Sequence, residues 1–521
     1  MAVSARAALV MLLLASACGP SDGGAGGRDA ALAGDGGSTD ATPGVDPDIE
    51  TVARVEVDLD VGGKGVAIPS DFVGFSLELT SVGAYLGRYP DQLNAVFLQL
   101  LKNLGSGILR MGGNSTDDGC WRTGSGPLPD GCTFEVSPNA LAIIAAAMRD
   151  TGWRALIGVN LAEYSSTRAL AFARDGIATA FSGERAGGLL GVEFGNEPNL
   201  YDYRGDRPDG YTHDQFVGEW VTYASALATD RRTAAFRMAG PAYARMSSWF
   251  AYLDDFITGA TPERVDLVTA HDYPLQTCSG DDPTLAELMR RELVTDTGKR
   301  VAAWVEVAAQ AGKPLLVAET NSVACRGQDG VSNVFGSALW GLDHMLTIAE
   351  SGAASINLHV ARDAFYDPVV SQESDADGDG TYSYAVRVLP LYYAMVMASR
   401  ASGGRVAAGR VLDSELDLTA HAVERGDSVL VYLINRGDAG GTVKVTPSER
   451  AGRATLLLLD APALDARVAD VRLGDSQIDG ATGELPAPDT AALDPSAGTG
   501  SYFVELPPTS AALLTIERGQ P

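Results

Sequence analysis

Between residues 70 and 400 one pattern repeats eight times: a short, nearly continuous run of Val, Ile and Leu, followed by an amphipathic stretch rich in Ala and Leu. The apolar runs fall at 71–79, 107–113, 153–161, 189–198, 236–243, 265–275, 313–322 and 355–363. Runs without polar alternation suit parallel strands covered on both faces, and repeated strand–helix alternation builds either a doubly wound sheet or a closed barrel. Eight repeats favour the barrel, so the expected class is α/β, a (β/α)8 TIM barrel over 70–402. Such barrels carry their chemistry at the carboxyl ends of the strands. Glu78, Asn114, Asn160, Glu197, Tyr273 and Glu319 all fall at such ends.

Past residue 403 the pattern changes to short alternating runs separated by Gly, Asp and Pro, as in 428–434, 442–445, 454–460 and 511–516. This predicts an antiparallel β-sandwich over 403–521. Residues 51–69 alternate in the same way with no helix after them, so they are expected to add a strand to that sandwich, with the barrel inserted between its strands. Ahead of them, Arg6, the apolar run 7–14 and the small residues before Cys18 read as an export signal over 1–17. The apolar run is too short to span a membrane. Cys18 then stands where a bacterial lipoprotein carries its lipid, with ordinary secretion as the alternative. Residues 18–50, built of Gly, Ser, Asp, Ala and Pro, read as a disordered tether. An exported protein held to the outer membrane or cell surface through that lipid alone is the expectation, and oligomeric state is not legible.

A net charge of −28 argues against nucleic acid and against long polyanions as partners. Four cysteines follow Cys18, and in an exported chain an even number suggests disulfides. Cys120 and Cys132 flank a Gly/Pro-rich loop, while Cys278 and Cys325 each follow a barrel strand, which favours 120–132 and 278–325 over the other two pairings and over free thiols.

The strand-like run 189–194 is followed by Gly195-Asn196-Glu197-Pro198-Asn199, and the run 314–318 ends at Glu319. Two acids at the ends of two buried parallel strands are what cleavage of a glycosidic bond needs: one protonates the leaving oxygen, the other attacks or assists at the anomeric carbon. Asn196 is placed to hold the neighbouring sugar hydroxyl. Arg110 can keep a nucleophile ionised, Tyr273 can offer it a hydroxyl, and His271 suits a supporting hydrogen bond. The bland alternatives are that Glu197 caps the following turn and that Thr320 and Asn321 cap a helix beside an incidental acid.

Together with Leu109-Arg110-Met111-Gly112-Gly113, Ala270-His271-Asp272-Tyr273 and Ala318-Glu319-Thr320-Asn321-Ser322, the Asn-Glu-Pro motif resembles glycoside hydrolase family 79, which contains heparanases and microbial β-glucuronidases. The resemblance covers about residues 70–400. It implies Glu197 as acid/base, Glu319 as nucleophile, retention through a covalent glycosyl-enzyme, and an oligosaccharide or polysaccharide ending in β-linked glucuronic acid as substrate. In that family a glycine and a tyrosine after the eighth strand hold the uronate carboxylate. Here the stretch 359–367 supplies Tyr366 but no glycine. Arg362 either pairs with that carboxylate or salt-bridges Asp363, and Glu78 either binds sugar hydroxyls or is structural. β-Xylosides, α-arabinofuranosides and a non-catalytic carbohydrate-binding lipoprotein remain alternatives.

The reaction requires no cofactor. Asp375, Asp377 and Asp379 have the alternation of a calcium loop, but the twelfth position is Val386, so calcium and a solvated acidic loop both stand.

Overall fold

The eight apolar runs do close on themselves. In the computed structural model, which describes residues 49–518 apart from 60–61, 123–125, 246, 261–263 and 450, eight parallel strands form a closed barrel in sequence order. They are Val73–Glu78, Ile108–Gly112, Arg154–Val159, Leu189–Phe194, Met238–Tyr243, Leu267–Asp272, Leu315–Thr320 and Ser355–Val360. Nearly every residue in them is buried, which is why the sequence shows apolar runs in place of alternation. The strands stop short of several expected ends. Strand four ends at Phe194, so residues 195–198 already lie in the loop above the barrel, where backbone can turn and side chains can converge. The export signal, Cys18 and all of the tether but its last two residues lie outside the described residues.

The second unit is a sandwich of two sheets. The smaller has the order Gly409–Ser414, Ala53–Val57, Gly441–Pro447, Tyr502–Leu506. Ala53–Val57 thus lies between two strands of the carboxyl-terminal region, antiparallel to the first and parallel to the second, so one pair departs from a purely antiparallel sandwich. The larger sheet is centred on Leu418–Arg425, Ser428–Asn435, Ser510–Arg518 and Ala451–Asp460. Period-two alternation sorts its side chains. Val429, Val431 and Leu433 face Val55, Val443 and Val504 inside the sandwich, while Leu430, Tyr432 and Ile434 join the barrel's own core. Helices Phe335–Glu350 and Pro390–Ser399 are almost wholly buried along that contact.

Both favoured disulfides are present, Cys120–Cys132 and Cys278–Cys325. The second ties the loop after strand six to the loop after strand seven, the strand that carries Glu319. Cross-linking residues 47 apart removes freedom from the unfolded chain, an effect of about 3–4 kcal/mol in the loop-entropy account. Replacing Cys278 and Cys325 together by Ser is therefore expected to lower the unfolding free energy by about that amount, read as a lower midpoint in urea titration. An unchanged midpoint would mean that the loops are held equally well without the bridge.

Candidate active site

Strand two carries a fully buried arginine, and the site is built around it. Arg110 donates from Nε to Glu193 Oε2 at 2.6 Å, from Nη1 to Glu319 Oε2 at 2.7 Å and to Ser76 Oγ at 3.1 Å, and from Nη2 to Asn196 Oδ1 at 2.9 Å. One guanidinium thus joins strands one, two, four and seven. Burial alone would lower its pKa, but Glu193 and Glu319 outweigh burial and raise it, so the group is permanently charged.

Glu319 is also nearly buried. Tyr273 donates its hydroxyl to Oε1 at 2.9 Å, and His359 Nδ1 lies 3.7 Å from Oε2. Burial pushes this carboxyl up, but the charges of His359, His271 and Arg110 and the Tyr273 hydrogen bond together hold it well below its ordinary value. Glu319 is therefore an ionised, oriented carboxylate.

Glu197 follows Asn196 in a left-handed backbone conformation, φ 49° and ψ 55°, which is costly for a side chain of this size and turns the chain sharply above strand four. It makes no side-chain cap, so the capping alternative finds no hydrogen bond. His271 Nδ1 lies 3.1 Å from its Oε1, and Arg204 Nη1 lies 3.9 Å from Oε2. The direct hydrogen bond of His271 thus goes to Glu197, and it reaches Glu319 only through its charge. One oxygen of Glu197, one of Glu319 and a His271 nitrogen lie within 4.8 Å of one another.

Besides the Arg110 bond to its Oδ1, Asn196 is held by three more hydrogen bonds. Its backbone N–H donates to Asp117 Oδ2 at 2.9 Å, its carbonyl accepts from Arg204 at 2.6 Å, and its Nδ2 donates to Asn114 Oδ1 at 3.1 Å. Asn114 itself is exposed at the mouth and also accepts from Arg204 at 2.8 Å.

Other expectations resolve differently. Glu78 accepts from the backbone N–H of Asn114 and Ser115 at 3.2 and 2.8 Å and from the Ser115 hydroxyl, so its carboxylate shapes the second loop. The left-handed Gly113 permits this, since a Cβ there would lie 2.3 Å from Glu78 Oε1. Asn160, read as a sugar ligand, donates to the carbonyls of Asp117 and Gly119 at 2.7 and 3.0 Å and accepts from Glu163 N–H at 2.8 Å; its amide is occupied in tying two loops. Arg362 is exposed, and among the described residues its side chain forms no ion pair with Glu197 or Glu319; its carbonyl accepts from Arg326. Tyr366 is buried, with its ring centroid 6.1 Å from that of Tyr273. Thr320 and Asn321 cap nothing: Asn321 donates to the carbonyls of His359 and Tyr366 at 2.9 and 3.0 Å, hanging the eighth loop on the seventh. Asp375, Asp377 and Asp379 lie in the turn joining Val369–Ser374 to Ser383–Val388, where Asp375 and Asp379 accept from the backbone N–H of Gly380 and Thr381.

Four contributors escaped sequence reasoning: Ser76, Asp117, Arg204 and His359. Glu193 was visible inside an apolar run, and a charge there demands a buried partner; Arg110 is that partner. His359 is the penultimate residue of strand eight, with Nε2 3.5 Å from Glu78 Oε1. Burial lowers its pKa, but Glu319 and Glu78 prevail and raise it. Nearby Asp367, which accepts from the N–H groups of Ala361 and Ala364 at 3.0 Å each, is pushed up to about 7 by burial against those hydrogen bonds and the His359 charge.

Both raised pKa values mean that the folded state holds protons the unfolded state releases. The His359 contribution is complete below the unfolded pKa and lost as pH rises through the folded one, and protonated Asp367 favours folding below about 7 in the same sense. Stability is therefore expected to fall as pH rises from about 4, where unfolded Asp367 ionises, to about 7, with the His359 loss setting in above its ordinary value of 6.5. Asp367→Asn should flatten that slope in thermal melts across the interval, and an unaltered slope would remove Asp367 from the account.

No family model matches the chain. It is 22% identical over 366 residues to a β-glucuronidase of Neurospora crassa, covering 62% of this chain and 63% of that protein. It is 25% identical over 334 residues to a β-glucuronidase of Aspergillus niger, covering 57% and 61%. The chain thus matches less than two thirds of the length of either relative. Among solved structures it resembles a 4-O-α-L-rhamnosyl-β-D-glucuronidase from Fusarium oxysporum, with TM-score 0.69, 18% identity and coverage of 89% of this chain and 100% of that one. It also resembles a family 51 α-L-arabinofuranosidase from Thermotoga petrophila, with TM-score 0.64, 16% identity and coverage of 89% and 100%. At these identities the structural likeness establishes the fold: a closed βα barrel with a β-sandwich.

Proposed function

We propose that the protein is a retaining glycoside hydrolase that removes terminal β-linked glucuronic acid from glycans. The observation that carries the mechanism is the approach of Glu197 and Glu319 oxygens to within 4.8 Å. Retaining enzymes hold their two carboxyl groups about 5–5.5 Å apart, whereas inverting enzymes leave about 6.5–9.5 Å for a water. Glu319 attacks the anomeric carbon while Glu197 gives its proton to the departing oxygen. The aglycone leaves, and Glu319 is bonded to the sugar. Glu197, now ionised, takes a proton from water as that water attacks the same carbon, freeing Glu319 and restoring the starting configuration.

The glucuronide preference draws on the two β-glucuronidases the chain resembles and on buried Tyr366 beside Tyr273. A second reading, an uncharged pentoside as substrate, is favoured by the exposure of Arg362, which leaves the uronate without that expected cation. Export suits both readings, since two disulfides belong in an oxidising compartment. Hydrolysis of nitrophenyl β-glucuronide, β-glucoside, β-xyloside and α-arabinofuranoside side by side, with proton NMR of the first-formed anomer, tests the proposal. Preference for the glucuronide with β-product is expected. Preference for a pentoside would overturn the substrate, and an inverted product would overturn the mechanism.

A further inference from the structure

Among the described residues, five large aromatic side chains are exposed: Tyr89, Tyr164, Tyr203, Tyr252 and Phe365. Each lies in the connection that follows the carboxyl end of a barrel strand, namely the first, third, fourth, fifth and eighth, Tyr89 in the short strand Gly87–Tyr89 and Tyr203 and Tyr252 in short helices. The described sandwich surface exposes aliphatic Leu412 but none of these rings. Large aromatic groups left in water have a solvation cost that packing does not explain, and here all five follow the strand ends that carry the site.

Two of them stand on the side of Glu197. Tyr203 is 85% exposed. It belongs to the short helix Tyr201–Arg204, whose Tyr201 is buried and whose Arg204 reaches Asn114, the Asn196 carbonyl and Glu197. The acid/base loop therefore holds this helix in place while leaving the Tyr203 ring free of the core. Tyr164, on the neighbouring third loop, is half exposed in a left-handed conformation at φ 50°. Its ring lies parallel to Tyr223, with centroids 6.4 Å apart, and the Arg207 guanidinium lies 5.6 Å from its centroid. Arg207 also donates to the carbonyls of Leu161 and Ala162 in the same loop, so the ring is braced. A strained, braced and exposed aromatic is ordered ahead of any ligand, which reduces the entropy lost when one binds.

Glu197 protonates the leaving oxygen, so its side of the mouth receives the sugars that depart. The C–H faces of pyranose rings are apolar and flat enough to stack on tyrosine, while their hydroxyl edges stay in water. The overall charge of −28 disfavours a heavily anionic chain along the same surface.

We propose that Tyr203 and Tyr164 form a stacking platform for the leaving-group side of a neutral or weakly charged glycan chain, so that the preferred substrate is an oligosaccharide of several units and not a small glycoside. This rests on the glycosidase reading above. The test uses Glu319→Gln, which binds without turnover, and a tetrasaccharide bearing terminal β-glucuronate on three neutral β-linked hexoses, with free glucuronic acid as the reference ligand. In calorimetry, adding Tyr203→Ala or Tyr164→Ala should each weaken tetrasaccharide binding about tenfold and leave the monosaccharide unchanged. In the otherwise natural chain the same changes should lower kcat/KM for the tetrasaccharide by a similar factor and spare β-glucuronyl fluoride, which has no sugar on that side. Equal effects on both ligands, no effect on the tetrasaccharide, or no binding of it by Glu319→Gln would overturn the platform. Failure of the natural chain to hydrolyse the fluoride, with aromatic-dependent tetrasaccharide binding intact, would overturn the glucuronidase reading and keep the platform.

Discussion

Glu319→Gln is expected to reduce hydrolysis of the preferred nitrophenyl glycoside by at least about 10⁴-fold, since an amide cannot form the glycosyl-enzyme. The fold should survive. The glutamine oxygen can still accept from Tyr273 or from Arg110, and Arg110 keeps Glu193 as its ionic partner. Melting temperature and far-ultraviolet circular dichroism would separate lost chemistry from lost structure. A well-folded variant retaining a tenth of the activity would sink the assignment of Glu319 as nucleophile. A protein inactive before the change that binds glycans equally well after it would be a non-catalytic carbohydrate-binding protein.

Arg110→Met should have the largest effect on stability. The side chain is fully buried, and its removal strands two carboxylates, Glu193 and Glu319, in the barrel interior. Breaking a buried pair from one side costs about 3–5 kcal/mol, and here Glu193 loses its ionic partner while Glu319 keeps only Tyr273 and the neighbouring histidines. The penalty is expected to appear as a matching drop in unfolding free energy by urea titration, with activity lost as well. The double variant Arg110→Met/Glu193→Gln should regain part of the stability, because one stranded charge is gone, and little of the activity, because Glu319 still lacks its cation. A loss below about 1 kcal/mol for the single variant would mean that the two carboxylates take up protons at little cost.

The sequence made the barrel legible for a physical reason. Strands covered on both faces must be apolar throughout, and eight such runs leave few ways to bury them. The same logic exposed Glu197 and Glu319, because a carboxylate at the end of an apolar run stands out against it. What strand-end position does not reveal is the direction of a hydrogen bond. Asn160 and Glu78 occupy strand ends as expected, yet their polar atoms hold neighbouring loops, through Asp117 and Gly119 in one case and Ser115 in the other. Asp117 was hidden because it acts on Asn196 from 79 residues away, and Arg204, only eight residues on, because no local pattern marks a side chain that folds back onto its own loop. His359 was quoted only as part of a stretch compared with the family; its place between Glu78 and Glu319 depends on barrel closure, which sets strand eight beside strand one.

Barrel closure is not the last event that the chain must await. Ala53–Val57 is flanked by Gly409–Ser414 and Gly441–Pro447, so it leaves the ribosome long before either neighbour exists. During that interval its backbone groups face solvent on both edges, a condition that invites pairing with other chains. The polar residues Arg54 and Glu56 alternate with Val55 and Val57 and make it a poor partner for strangers. A chain cut short before residue 441 would keep all eight barrel strands and still carry an amino-terminal strand lacking one of its two mates. In a protein built this way, completion of the sandwich requires that synthesis has passed Ser510–Arg518, and a quality-control protease that reads exposed strand edges could tell chains that contain this strand from chains cut short before it.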